Sequence, residues 1–426
     1  MKQICKISGK EFEISQEDQF YYKKMGLPLP TLCPDERQRR RLAWRNERNL
    51  YYSTCDATGK KIISMYSSDK PYKVYDTEYW NSDKWDAKEY SQDFDLNRPF
   101  FEQFAKLLKK VPLISRATSS NENCDFVNRA SWNKNCYLVV DAGNNLDCYY
   151  SEYIGNSKDC CDCSYTSNSE LCYECLYTDS CYDCQYLNNS DNCLESYFLN
   201  NCSNCKNCFG CINIENKQYY IFNEAYSKED YKNKIKELKL YSHSQIETIK
   251  ETMKNFNEKA PKNAIYGVNN EDSSGNHIYN TKNCNDCYSV ANSEDCKYLY
   301  DCGYAKDCYD INFFGQVRGI QNCYECHEIG HGVQNIYMSD GIIDSCNNIY
   351  YSKDCSSSNN LFGCIGLNHS KYCIFNKQYS KKEYNEILPK IIRHMEKTGE
   401  WGEFYSNRTI SVLLQRNNSS KLLSIK

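Results

Sequence analysis

No run of eighteen apolar residues occurs in this sequence, and its opening MKQICKISGKEF has no apolar signal core. The first absence excludes an ordinary membrane-spanning helix, and the second gives no export signal. The expectation is a soluble, cytoplasmic chain with no membrane partner. There is no phosphate-binding loop and no dinucleotide fingerprint. Histidines number 6, at 243, 277, 327, 331, 369 and 394, and only His327 and His331 lie near each other. No Cys-His-Asn set for nucleophilic catalysis is legible. The aspartates fall mostly at turn positions of a repeat, where turn chemistry accounts for them. With no convergent polar constellation, an enzyme is not the expected reading. Net charge is −4, so no global field draws the chain to nucleic acid, and any such contact must be local. Methionine is scarce, at 6 residues, whereas tyrosine and cysteine supply 39 and 29. That skew is what a thin, repeated core would give.

The cysteines are periodic. They fall at 124, 136, 148, 160, 172 and 184, each twelve residues after the last, and then at 193, 202 and 211, where the step shortens to nine. A fixed short period marks a repeat architecture. The units read SNENCDFVNRAS, WNKNCYLVVDAG, NNLDCYYSEYIG, NSKDCCDCSYTS and NSELCYECLYTD. Each opens with Asn, Ser, Asp or Lys, which suit turns. Each continues with a short run of Cys, Tyr, Phe, Leu or Val, which suits a strand. No unit carries a helical apolar stripe. Stacking would pair like residue with like, with cysteine inward as a small buried hydrophobe. The spacing leaves open whether one coil takes one unit or two.

The pattern occurs twice. Cys202 to Tyr231 matches Cys355 to Tyr384 at a constant offset of 153 without a gap. Each copy carries FGC, then IFN, then a helix start where Ser227 or Ser380 is the expected N-cap. The expected fold is mainly β, with two tandem cysteine-rich β-solenoid arms at residues 119–223 and 264–377. An N-terminal α+β domain at 1–118 precedes them, a helical linker at 224–263 joins them, and a helix and tail at 378–426 follow. Within the first domain, a helix from Pro99 with Phe100, Phe101, Phe104, Leu107 and Leu108 as its stripe is expected to seal the open end of the first arm.

Without an export signal the thiols are expected to be reduced: buried structural groups first, metal ligands second, and disulfides only if the chain is exported. Cys323-Tyr-Glu-Cys326-His327 spells a haem-attachment motif, and His331 extends it to a metal-like cluster of Cys323, Cys326, His327 and His331. Cys172-Tyr-Glu-Cys175 is the same tetrapeptide without a histidine, so the motif reads first as a repeat unit carrying an extra His327. Cys202, Cys205, Cys208 and Cys211 step by three, the spacing of a metal loop, but the sister copy keeps only Cys355 and Cys364.

The N-terminus carries C-x2-S-G-K-E-F and then PLPTLCPDER, and so resembles the bacterial zinc-binding domain of treble-clef type. Cys5, Gly9, Lys10, Phe12, Pro30, Cys33, Pro34 and Arg37 fall on that family's pattern, and its second and fourth ligand positions fall on Ser8 and Glu36. The resemblance implies zinc held by Cys5, Cys33 and Glu36. The alternative is a knuckle that kept its fold after losing the ion. Cys55-Asp-Ala-Thr58-Gly-Lys is a weaker echo with one thiol, and its site is expected to be empty. As a whole the chain resembles an uncharacterised bacterial family that joins such a domain (PLPTLCP, RRLAWRNE, VYDTEYW, RPFFEQF) to Cys/Asn repeats. That resemblance runs to about Tyr405 and implies no assigned activity.

Between the two knuckles lies PDERQRRRLAWRNER. Pro34 suits a first helical turn, and Arg37, Arg41, Arg45 and Arg48 then share one face, with Arg39 and Arg40 beside them. Such a helix suits phosphate contact, so Arg37, Arg39, Arg40, Arg41, Arg45 and Arg48 are the candidate nucleic-acid residues. The bland alternative pairs them with the acidic stretch Asp83 to Asp95 or leaves them facing water. The expected role is a non-enzymatic binding scaffold, meeting an unknown protein or nucleic acid through Arg37–Arg48 or the repeat faces. A thiol-rich metal-binding or redox protein is the alternative.

Overall fold

The computed structural model describes residues 1–43, 46, 48–312, 320–321 and 346–404. Strands predominate, most of them short and paired in parallel. Asn128–Ser131, Val140–Gly143, Glu152–Gly155, Ser164–Ser167, Leu176–Asp179 and Asn188–Asp191 share one sheet. Each residue lies beside the one twelve positions on, so Glu152 meets Ser164 and Ile154 meets Thr166. A second sheet takes Glu170–Tyr173, Tyr182–Gln185, Leu194–Tyr197, Lys206–Phe209 and Gln218–Ile221. Its spacing does not shorten after Cys184: Tyr182 pairs with Leu194, Leu194 with Lys206, and Lys206 with Gln218. The nine-residue cysteine steps are therefore not a shorter unit. They move cysteine from one inward position of a repeat to another.

A shorter period explains the backbone. Ser120, Asn123, Phe126, Arg129, Trp132 and Asn135 all have φ between 51 and 56°, and the same left-handed turn recurs at every third residue to Asn207. The residue after each turn faces inward: Cys136, Val139, Ala142 and Asn145 are buried. Asn and Asp tolerate this conformation, whereas at Phe126, Leu138 and Tyr150 it costs roughly 1–2 kcal/mol each. Main-chain bonds to the previous repeat offset that cost, as in Asn135 N to Glu122 O (3.0 Å), Leu138 N to Asp125 O (3.2 Å) and Tyr150 N to Tyr137 O (3.0 Å).

Inward side chains are short, and they bond to the backbone. Ser169 Oγ donates to Ser167 O at 2.7 Å and accepts from Cys181 N at 3.1 Å. Ser190 and Ser196 accept likewise from Cys202 N and Cys208 N, each at 3.1 Å. The Cys124 sulfur accepts from Cys136 N at 3.3 Å, and Asn133 Oδ1 accepts from Asn145 N at 3.1 Å. Thiols donate to the carbonyl two residues back, Cys136 to Lys134 O and Cys193 to Asp191 O, both at 3.3 Å. An unpaired buried N–H is costly, so the position selects a short side chain that accepts a bond from the next repeat.

Among the described residues the α-helices are α1 (Gln16–Lys24), α2 (Pro34–Leu42), α3 (Thr77–Trp80), α4 (Phe100–Leu108), α5 (Lys228–Glu237), α6 (His243–Lys259) and α7 (Lys381–Thr398). Ser227 and Ser380 cap α5 and α7, accepting from Asp230 N and Glu383 N. Among the described residues no helix is long and apolar enough to cross a membrane. The helix expected to seal the first arm does not do so. α4 packs on the second arm, where the Phe100 ring centre lies 5.4 Å from that of Phe362 and 5.3 Å from that of Phe375. In the first arm the equivalent place is taken by α6, whose Phe256 meets Phe222 at 5.9 Å. Gly210 and Gly363 mark that place, with φ of 62° and 63°. A β-carbon there would come within 2.7 Å of Phe222 in one copy and 3.1 Å of Phe100 in the other.

The two arms lie side by side. Tyr153, Tyr165 and Tyr177 of the first arm stack at 4.4 and 4.6 Å. Tyr165 donates to Asp301 Oδ1 at 2.9 Å, and Tyr177 stacks on His277 at 3.8 Å. Later residues of one arm meet earlier residues of the other, so the arms run in opposite directions.

Candidate functional site

Cys5 closes the hairpin of Lys2–Ile4 and Glu11–Glu13, its N–H reaching Lys10 O at 2.9 Å while Gly9 N returns to Cys5 O at 3.0 Å. Cys33 is the N-cap residue of α2, and Ser8 Oγ lies 3.8 Å from its sulfur. Burial raises the Cys5 thiol, but hydrogen bonds from the Ser8 side chain and from the main chain at Cys33, Ser8 and Ile7 outweigh it. They bring the group down from 9.0 to about 6. Glu36 turns away to Arg39 Nη2 at 2.6 Å. The structure thus brings together Cys5, Ser8 and Cys33, while Glu36 is committed to Arg39.

The Cys55 hairpin has the same local geometry, with Cys55 N to Lys60 O and Gly59 N to Cys55 O both at 2.9 Å. Asp76, the N-cap of α3, stands where Cys33 stands in the first knuckle. Its N–H donates to the Cys55 sulfur at 3.3 Å, and Thr58 Oγ1 donates to its carboxylate at 3.5 Å. A thiol, a hydroxyl and a carboxylate are linked there by hydrogen bonds. Among the described residues, no group of three or more His, Cys, Asp or Glu is placed to hold a metal ion.

Two arginines of the basic helix, Arg37 and Arg41, point inward, away from the external contact expected of them, whereas Arg39 is exposed. Arg37 and Arg41 are 2% and 0% exposed. Arg37 Nε donates to Asp310 Oδ2 at 2.9 Å, and Arg41 Nη1 donates to Asp310 Oδ1 at 3.1 Å. Arg40 pairs with Glu403 at 3.1 Å, Arg39 with Glu36, and Arg48 with Glu152. None of these partners lies in the stretch Asp83 to Asp95. Arg37 and Arg41 face the second arm and are withdrawn from any external phosphate. Arg45 lies outside the described residues, as do Cys323, Cys326, His327 and His331.

Cys202, Cys205, Cys208 and Cys211 fill the successive inward positions of a single repeat. Each thiol donates to the carbonyl two residues back, at Asn200 (3.4 Å), Ser203 (3.3 Å), Lys206 (3.5 Å) and Phe209 (3.3 Å). At the same offset the second arm has Cys355, Ser358, Leu361 and Cys364, all buried.

Sequence reasoning missed an aromatic file along one side of the first arm. Tyr186, Phe198, Phe209 and Phe222 succeed one another at ring distances of 4.4, 5.6 and 5.8 Å. Earlier on the same side Tyr52 meets Phe126 at 5.2 Å, Phe126 meets Tyr137 at 5.9 Å, and Tyr137 meets Tyr150 at 5.8 Å. The available signal was the pair of residues after each repeat cysteine, as in CDF, CYL and CYY. No protein-family model matches the chain, and no curated protein matches it at a significant level.

Proposed function

We propose that the chain is a non-enzymatic binding scaffold built on two cysteine-rich β-solenoid arms. Each coil takes twelve residues through four short sides, and the outward rows are the binding surfaces. The observation that carries this reading is the interchange at inward positions. One column runs Asn133, Asn145, Ser157, Ser169, Cys181, Cys193 and Cys205, all buried. Cysteine there does what serine and asparagine do, which is to fill a small space and bond the backbone. Partner contact falls to the repeat faces, because Arg37 and Arg41 are occupied inside the molecule. Reduced thiols suit a cytoplasmic setting.

The alternative, a thiol-rich metal-binding or redox protein, draws on the four thiols Cys202 to Cys211 and on the lowered Cys5. A double variant, Cys205→Ser with Cys208→Leu, copies the second arm's Ser358 and Leu361. The scaffold reading expects a folded chain with unchanged metal content by plasma mass spectrometry. Loss of bound metal from this variant would overturn it.

A further inference from the structure

We propose that the uncovered half of the aromatic file, from Phe126 to Tyr150, docks an amphipathic helix of a partner protein with basic flanks. This rests on the scaffold reading and gives it a site. Asp125, Tyr137, Tyr149, Cys161 and Tyr173 follow one another on this side through parallel bridges twelve residues apart. Beyond Tyr173 the same side already binds a helix. Ile249 of α6 is buried, and Asn200 Nδ2 donates to Asn257 Oδ1 at 2.7 Å. Lys250 of α6 reaches Glu174 at 3.2 Å and sits 5.0 Å over the Tyr186 ring. α6 begins at His243, and among the described residues no helix lies over the earlier rows. There Tyr137, Tyr149 and Tyr150 are 38%, 39% and 55% exposed, and Tyr52 at the end of the file is 77% exposed. Contiguous exposed aromatics of this kind mark an interaction surface. The rows from Phe126 to Asp162, at about 4.8 Å a row, offer track for roughly 10–13 residues of helix.

Charge selects the helix. Asp125, Asp147, Asp159 and Asp162 stand on or beside these rows. The nearby cations are already engaged: Lys134 with Glu122 at 2.8 Å, Lys158 with Glu170 at 3.0 Å and with Asp159 at 3.4 Å, and Arg48 with Glu152, while Arg116 lies close to Asp125. A lysine or arginine from a docked helix would repeat what Lys250 does, lying between an acid and a tyrosine face. The competing occupant is the chain's own segment 405–426, which carries Arg408, Arg416, Lys421 and Lys426 and no acid.

The probe is a labelled synthetic helix of about fourteen residues, long enough to cover the track, with leucine on one face and lysine on both flanks, followed by fluorescence anisotropy. The expected result is saturable binding to the full chain that weakens at least about tenfold in Tyr137→Ala with Tyr150→Ala, weakens with added salt, and is absent when glutamate replaces lysine in the peptide. Circular dichroism checks that the variant is folded. Equal binding to the variant, or none below about 1 mM, overturns the proposal. Binding to a chain ending at Phe404 but not to the full chain assigns the face to the tail and also overturns it. If the peptide fails while the Cys205→Ser, Cys208→Leu variant keeps its metal content, only this docking site falls. If that variant loses metal, the scaffold reading itself falls.

Discussion

Arg37 and Asp310 stand 273 positions apart and meet in a buried ion pair, Nε to Oδ2 at 2.9 Å. Arg41 binds the other oxygen of the same carboxylate and also donates to Asn312 Oδ1 at 2.9 Å. One carboxylate therefore holds two guanidiniums and ties α2 to the second arm. Asp310→Ala removes the carboxylate that the two buried cations share and is expected to cost roughly 3–5 kcal/mol, measured by urea denaturation. Arg37→Ala is expected to lower stability while leaving retention on a polyanion column unchanged.

The repeat was legible in the sequence because a stacked architecture writes its period into the chain. The twelve-residue spacing, the offset of 153 and the Ser227 and Ser380 caps were all readable. The direction of the arginines was not, because a row of charges on a helix looks the same whether it faces water or a buried carboxylate far along the chain. The placement of α4 was unreadable for a similar reason: Phe100 suits any apolar groove, and only the fold shows that α6 already occupies the first one. The nine-residue steps misled because the inward positions recur every third residue, a period that cysteine marks only in part.

Glu400 caps α4 from the far end of the chain, its two carboxylate oxygens each accepting at 2.9 Å from Phe100 N and Phe101 N. Glu400→Gln keeps an acceptor but loses the charge at a helix N-terminus, and Glu400→Ala loses both. The expected costs are about 0.5 kcal/mol for the first and about 1–2 kcal/mol for the second, by thermal or urea unfolding.

Gly363 and Gly9 separate two effects. Both have positive φ, but a β-carbon on Gly9 meets nothing within 4 Å, whereas one on Gly363 meets Phe100 and Phe375 at 3.1 Å. Gly9→Ala is expected to cost about 1 kcal/mol from the backbone alone. Gly363→Ala adds displacement of two packed rings and is expected to cost about 1–3 kcal/mol more.

Ser8 is expected to control the charge of Cys5. The folded thiol is lowered from 9.0 to about 6, so its contribution to stability is fully present above pH 9, declines as pH falls toward 6, and is absent below that. Ser8→Ala removes the side-chain hydrogen bond and is expected to move the titration back toward 9.0. The thiolate absorbance difference between the chain and its Cys5→Ser variant reads this directly. An unchanged midpoint would remove Ser8 from the account.

Inward cysteines are expected to tolerate serine better than valine. Cys202 donates to Asn200 O at 3.4 Å, and the Ser190 hydroxyl one repeat earlier accepts from Cys202 N at 3.1 Å. Cys202→Ser keeps the acceptor for the next repeat and is expected to cost less than about 1 kcal/mol. Cys202→Val leaves the half-buried Ile214 N–H of the next repeat without it and is expected to cost about 1–3 kcal/mol, by urea denaturation.

The most direct test of the cysteines as core packing is metal content per chain together with a thiol count, on protein purified without added metal. The account predicts no stoichiometric metal, buried thiols that resist modification in the folded chain, and all 29 thiols reactive after denaturation. One or more equivalents of zinc, copper or iron, lost when Cys205 and Cys208 are replaced, would contradict it.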